Sequence, residues 1–268
     1  SYGEHRSRRR ALLIARDAVK SNALEIVRCS RNCVRLWVMP EQTAPTARAR
    51  ARAGMIEDIK AAAKQRLATE GPNLSLRAVA RDIGVVSSAV YRYFASRDEL
   101  LTALIIDGYD DLGDAVESAE AAVPRRELAA RWTVSGRAVR SWALEHPHEY
   151  ALLYGSPVPG YAAPQDTVGP ASRPVVVLAS ILRDHARRGS AHPTDRLPRA
   201  VRADLERVTA LPGFEDIPPA VLARGMTAWA QVFGSLSFEL FGRLTGAITD
   251  YEAYFEHQLK TMATYVGF

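Results

Sequence analysis

The stretch Leu74–Leu101, LSLRAVARDIGVVSSAVYRYFASRDELL, decides the fold. Ser75 offers an oxygen N-cap, and Leu76, Val79, Ala80 and Ile83 recur at i, i+3, i+4 and i+7, the stripe of a short amphipathic helix. Gly84 ends that helix, because glycine readily takes the positive φ that a turn between two crossing helices requires. A very short third unit follows, with Val86, Val90 and Phe94 expected on its inward face. Ser96-Arg97-Asp98-Glu99 then supplies a capping box, opening a long helix through Leu101, Leu104, Ile105, Tyr109, Leu112 and Val116. Two short helices about a tight glycine turn form a helix-turn-helix.

The outward face of the third helix holds Ser87, Ser88, Ala89, Tyr91 and Arg92. Such a short polar face fits the major groove of double-stranded DNA, where Arg grips guanine through two hydrogen bonds and Ser takes either role. Tyr93 and Arg97, with Ser75 at the start of the second helix, are placed for phosphate oxygens.

Upstream, Ile56, Ile59, Ala63 and Leu67 mark a first helix that stops at Gly71-Pro72. Arg48, Arg50 and Arg52 alternate with Ala just before it, either as an arm that reaches phosphates or a minor groove, or as a solvated helix start. Pro40–Thr46 is a Pro/Thr/Ala-rich linker, and residues 1–38 show only a weak helical pattern. Met39 offers an alternative natural start, which would place residues 1–38 outside the native protein.

Charge follows the same division. Residues 1–53 hold 12 Lys/Arg against 4 Asp/Glu, residues 54–100 hold 7 against 6, and residues 101–268 hold 16 against 20. A basic leading segment on an acidic body suits a protein that turns one end toward a polyanion; a solvated basic tail would have the same composition. Cys29 and Cys33 lack the further ligands of a metal set and read as free thiols, in keeping with a reducing cytoplasm. The run Ser7-Arg8-Arg9-Arg10 precedes only five apolar residues and is not an export signal. Gly225–Phe238, the longest uncharged stretch at 14 residues, is too short to span a bilayer.

Downstream, helices are expected near 125–145, 149–154, 174–188, 197–209, 219–244 and 250–266, with Thr249-Asp250-Tyr251-Glu252 as a second capping box and an ordered loop from Gly155 to Ser172. No segment alternates with period two, so the class is all-α. We expect an N-terminal extension over 1–46, a helix-turn-helix domain over 47–104 and a helical body over 105–268.

The run Gly84–Phe94 followed by Ser96–Leu101 resembles the recognition helix and following helix of tetracycline-repressor (TetR) family regulators, over about Met55–Leu104. Leu152–Tyr161 and Trp229–Leu236 make the remainder similar to the WHG-type TetR C-terminal domain, over about Arg125–Gly267. Phe233 stands where that label has His, and Val86 stands where the family commonly has Ser or Thr, so the recognition helix either lacks its cap or begins at Ser87. The resemblance implies a homodimer with two DNA-binding heads, released from DNA by a ligand of the C-terminal domain.

Trp132, Trp142, Tyr150, Tyr154, Tyr161, Leu178, Leu182, Met226, Trp229 and Phe233 are the aromatic and aliphatic stock from which a largely apolar effector pocket could be built, although each also fits a plain core. Residues 219–244 and 250–266 are the candidate dimer interface: Gly225, Gly234, Ser235 and Ser237 permit close helix approach, and the uncharged run demands burial on several sides. Asp107, Asp110, Asp111 and Asp114 read as a solvated acidic face, and His146-Pro147-His148 as a helix boundary. No phosphate loop, dinucleotide fingerprint, zinc-protease helix or nucleophile elbow occurs, so neither cofactor nor enzymatic chemistry is indicated. A sequence-specific cytoplasmic regulator is the leading expectation. A non-specific nucleoid-type DNA binder and a helical small-molecule binder or hydrolase are the alternatives.

Overall fold

The structure, a computed structural model, describes residues 46–189 and 196–268. The expectations for residues 1–45, including the thiols, the linker and the leading helical pattern, lie outside the described residues. Among the described residues there are ten α-helices, one 3-10 turn and no strand.

Helix α1 (Ala47–Glu70) buries Ile59, Ala62, Ala63 and Leu67 and stops at Gly71, whose φ of +59° carries the chain out. Arg48, Arg50 and Arg52 are therefore inside α1, in its first two turns, rather than in an arm before it. Helix α2 (Leu76–Asp82) ends in a Schellman motif: Val85 N–H donates to Ala80 O at 2.9 Å and Gly84 N–H to Arg81 O at 3.1 Å, with Gly84 at φ +71°. Helix α3 is a single turn, Ser87–Val90, continued by tighter bonds from Arg92 N–H to Ala89 O and Tyr93 N–H to Val90 O. Ile59, Leu67, Leu76, Val79, Val90, Phe94, Leu100 and Leu104 belong to one buried cluster, the core of the head.

Helix α4 (Arg97–Ala121) joins head to body. Ser96 Oγ accepts from Glu99 N–H at 3.1 Å, and Glu99 Oε2 accepts from Ala95 N–H at 2.6 Å, so the box closes one residue further out than the standard form. Leu100, Leu101 and Leu104 enter the head core, whereas Leu112 and Val116 enter a second core shared with α5 (Leu128–Glu145), α6 (Pro147–Tyr154), α7 (Val168–Ala186), α9 (Pro219–Leu240) and α10 (Tyr251–Val266). Helix α8 (Arg199–Thr209) lies beside α9 and contributes Leu205.

Several sequence-based boundaries shift: α5, α6 and α8 begin at Leu128, Pro147 and Arg199 rather than near 125, 149 and 197, and α7 ends at Ala186 rather than 188. α7 begins at Val168, after the 3-10 turn Gln165–Thr167, and holds Pro174 in its interior, so the loop after Gly155 is shorter than expected. α9 stops at Leu240, four residues early. The N-cap of α10 is Asp250, which accepts from Ala253 N–H at 2.8 Å, so Thr249 does not cap.

The aspartate stripe of α4, Asp107, Asp110, Asp111 and Asp114, is paired throughout rather than merely solvated. Asp107 meets Lys60 at 2.7 Å and Asp111 meets Lys64 at 3.6 Å, tying α4 to α1, while Asp110 and Asp114 share Arg173 of α7. Gly113 makes the last contact possible, because a Cβ there would lie 2.8 Å from Arg173 Nε. Burial pulls the Lys60 ammonium down, but Asp107 and Glu57 outweigh it and hold its pKa above the ordinary lysine value. Tyr161, an expected pocket residue, instead joins the head: its hydroxyl lies 2.9 Å from Thr102 Oγ1, and it packs with Leu152 and Val158 on the head core.

Candidate nucleic-acid interface

The second helix-turn-helix unit presents its face as the sequence indicated, with one exception. Val90 and Phe94 are buried, and Ser88, Tyr91 and Arg92 are exposed on the opposite side, with Ser87 and Ala89 half-buried beside them. Val86, expected inward, is 70% exposed. It holds the N-cap position in extended conformation (φ −68°, ψ 143°), before helical periodicity begins, so the spacing Val86, Val90, Phe94 does not put it on their face. The helix accordingly starts at Ser87 without a side-chain cap.

The residues expected to hold phosphates divide. Ser75 is exposed at the N-cap of α2, yet its hydroxyl caps nothing; its carbonyl accepts from Ala78 and Val79 instead. Tyr93 is half-buried and lies beneath Arg52, whose guanidinium carbon sits 5.0 Å from the ring centroid. This contact joins the start of α1 to the end of the recognition helix. Arg48 shares that side of α1 at i, i+4, whereas Arg50 points elsewhere. Arg97 is already committed within the head, where Nη2 and Nε donate to Pro72 O at 2.7 and 3.3 Å and bind the start of α4 to the turn after α1.

The first two turns of α1 are electrostatically unusual. Residues 46–54 are all exposed, and the first turn contains no acidic residue to complement the helix dipole. Cations at a helix N-terminus cost roughly 0.3–1 kcal/mol each, so this placement is relieved when an anion approaches.

The ten candidate effector residues do not converge on one cavity. Trp132, Trp142, Tyr150, Leu178 and Leu182 are buried core, and Trp132 Nε1 donates to Leu259 O at 2.9 Å. Met226 is 48% exposed on the outside of α9, and Tyr161 packs on the head. Tyr154, Trp229 and Phe233 do come together with Tyr150. The Tyr154 and Phe233 ring centroids are 4.3 Å apart, those of Trp229 and Phe233 5.1 Å, and those of Tyr150 and Tyr154 5.2 Å. Tyr109, part of the apolar stripe of α4 by its spacing, completes the cluster edge-on to Tyr154 at 6.0 Å. Burial raises the pKa of all three tyrosines, most for Tyr154, so the cluster is uncharged near neutral pH.

Of the small residues expected to favour dimer contact, three serve the protomer itself. A Cβ on Gly225 would lie 2.2 Å from Leu182 Cδ1, Ser235 hydrogen-bonds Gln258, and Ser237 Oγ lies 2.9 Å from the Tyr150 hydroxyl. Gly234 alone among them faces open space. Among the described residues no group of three His, Cys, Asp or Glu side chains could hold a metal, and no helix is long and apolar enough to cross a membrane.

A glycine-turned pair of short helices with an exposed Ser/Tyr/Arg face, carried on a helical body, defines a transcriptional regulator of the helix-turn-helix type. A family model described as bacterial regulatory proteins, tetR family, matches residues 59–104, and one described as tetracyclin repressor-like, C-terminal domain, matches 132–262. HTH-type transcriptional regulator Rv1816 of Mycobacterium tuberculosis (strain H37Rv) is 41% identical over 192 residues, 70% of this chain and 82% of that protein. Regulator Mb1846 of Mycobacterium bovis matches to the same extent. Regulatory protein SCO4313 has a similar solved structure, with TM-score 0.67 and 33% identity over 82% of this chain and 100% of that one. A Rhodococcus sp. RHA1 protein at 22% identity and TM-score 0.57, covering 85% of this chain and 97% of that one, shares the fold. The chain belongs to the TetR family of transcriptional regulators, a family of regulators rather than enzymes.

Proposed function

We propose that this chain is a sequence-specific repressor that binds a palindromic operator as a homodimer and leaves it when a small, largely apolar effector enters the C-terminal domain. Residues 47–104 are the DNA-binding unit in this reading, residues 105–268 the sensing and dimerising unit, and the cytoplasm the place of action. The observation that carries it is the face of exposed Ser88, Tyr91 and Arg92, with half-buried Ser87 and Ala89 beside them, held outward by the buried Val90 and Phe94. Arg92 reads a base and the hydroxyls of Ser87, Ser88 and Tyr91 complete the groove contact. Arg48, Arg52 and Tyr93 hold the backbone alongside.

Dimerisation through α9 and α10 is supported by the outer face of α9, where Met226, Ala230, Gly234 and Phe238 recur every four residues and are all exposed. Phe241 extends that face at 46% exposure. For the effector, the neutral cluster of Tyr109, Tyr150, Tyr154, Trp229 and Phe233 is the favoured site. Its members span α4, α6 and α9, so a ligand that parts Tyr154 from Phe233 pushes on the helix that enters the head core.

The test is Arg92→Ala, measured by fluorescence anisotropy against the preferred duplex and its single-base variants. We expect affinity to fall by about 1–3 kcal/mol, with discrimination relaxed at one position. An equal loss on every sequence would make Arg92 a phosphate contact and favour non-specific binding.

A further inference from the structure

Val86 is the most exposed of the large apolar side chains among the described residues, at 70%, and it stands on the edge of the recognition face next to Ser87 and Ser88. Neither packing nor capping explains a valine there. The position is an N-cap, which polar side chains fill by accepting a helix N–H, and Val86 makes no such bond. Val86 is not a member of the head core, to which Val90 belongs and against which Val85 packs. In helix-turn-helix docking the residues at the start of the recognition helix are those that meet base edges. The one apolar feature in the major groove is the 5-methyl of thymine.

We infer that Val86 reads DNA by packing its methyl groups against the 5-methyl of a thymine, fixing a T at one position of each half-site. The inference rests on the reading of the chain as a sequence-specific DNA binder. It supplies that reading with a discrimination the neighbouring serines do not provide, since a hydroxyl that both donates and accepts is compatible with several base edges.

The experiment replaces each thymine of the selected duplex singly with deoxyuridine, which deletes the methyl and keeps the pairing, and titrates the full chain by anisotropy. One thymine per half-site is expected to lose affinity roughly fourfold on demethylation, the value of one buried carbon. Val86→Ser is expected to bind the thymine and uracil duplexes equally at that position, and Val86→Thr, which keeps one methyl, to retain most of the difference. Both variants gain a capping oxygen, so both are expected to melt at or above the temperature of the parent protein, separating lost reading from lost folding. A half-site without thymine, or a uracil penalty that is unchanged in Val86→Ser, overturns the proposal while leaving sequence-specific binding intact. Binding without any sequence preference overturns the parent reading and this inference together.

Discussion

Arg131→Met tests how the body is held together. The Arg131 side chain is 1% exposed and lies at the junction of three helices. It donates to Glu120 of α4, to Asp184 Oδ2 and Ser180 Oγ of α7 at 2.7 and 2.9 Å, and to Arg125 O at 3.2 Å. Removing one partner of a buried pair costs about 3–5 kcal/mol, because the remaining charge loses its counter-ion without regaining water. Two features lower that figure here. The carboxylates keep some solvent, with side-chain exposures of 19% for Glu120 and 14% for Asp184, and Asp184 retains Arg125 at 2.9 Å. Methionine also preserves the volume of the stem. We therefore expect a loss of about 2–3 kcal/mol, read from urea unfolding at fixed protomer concentration. Neutralising the acceptors as well, in Arg131→Met/Glu120→Gln/Asp184→Asn, is expected to recover most of the loss. A single-variant loss below about 0.5 kcal/mol, or a triple variant no more stable than the single, would show that Arg131 does not hold α4, α5 and α7 together through these charges.

Two glycines separate strain from crowding. Gly84→Ala meets no atom within 4 Å but forces φ +71° on an alanine, at a cost of about 1–2 kcal/mol in urea melts that no neighbour can relieve. Gly225→Ala is the reverse case: the new methyl overlaps Leu182, costing about 1–3 kcal/mol, and adding Leu182→Ala is expected to make the pair strongly non-additive. Acid is expected to loosen the fold. Arg66 holds the Asp82 carboxyl below its ordinary value and Arg137 does the same for Glu256; for Asp184, burial opposes ionisation but Arg125 and Arg131 outweigh it. Because these folded-state pKa values are depressed, the stability they give is complete above the unfolded carboxylate values near about 4 and is lost as pH falls below them, which thermal melts across that range will show. Lys60→Met and Asp107→Asn are expected to be non-additive by roughly 0.5–1 kcal/mol, since the pair joins α1 to α4 at 2.7 Å with the lysine 13% exposed.

The head was legible in the sequence because its signals are local. Gly71-Pro72, Gly84 and Ser96 punctuate the chain, and each acts through backbone geometry within a few residues. Periodicity failed where the helix had not yet begun: Val86 fits the i, i+4 rule with Val90 but occupies an extended residue, to which the rule does not apply. Prolines misled in the body. Pro174 looks like a helix start, yet α7 begins six residues before it and carries it inside. The sensing region resisted for another reason. Which aromatic residues face one another depends on how α4, α6 and α9 pack, so local spacing does not join Tyr109 to Tyr154, nor reveal that Tyr161 packs on the head and Met226 lies exposed. Likewise, the aspartates of α4 read as a solvated face because their partners Lys60, Lys64 and Arg173 are distant in sequence.

Sequence-specific operator binding is tested by selecting bound duplexes from a random pool with the full chain at near-physiological salt. An inverted repeat is expected, with half-site centres one DNA turn apart or a multiple of it, about 34–36 Å for adjacent turns, and Arg92→Ala is expected to select the same repeat with preference relaxed at one position of each half-site. Enrichment of no sequence, with affinity governed by salt alone, would contradict it.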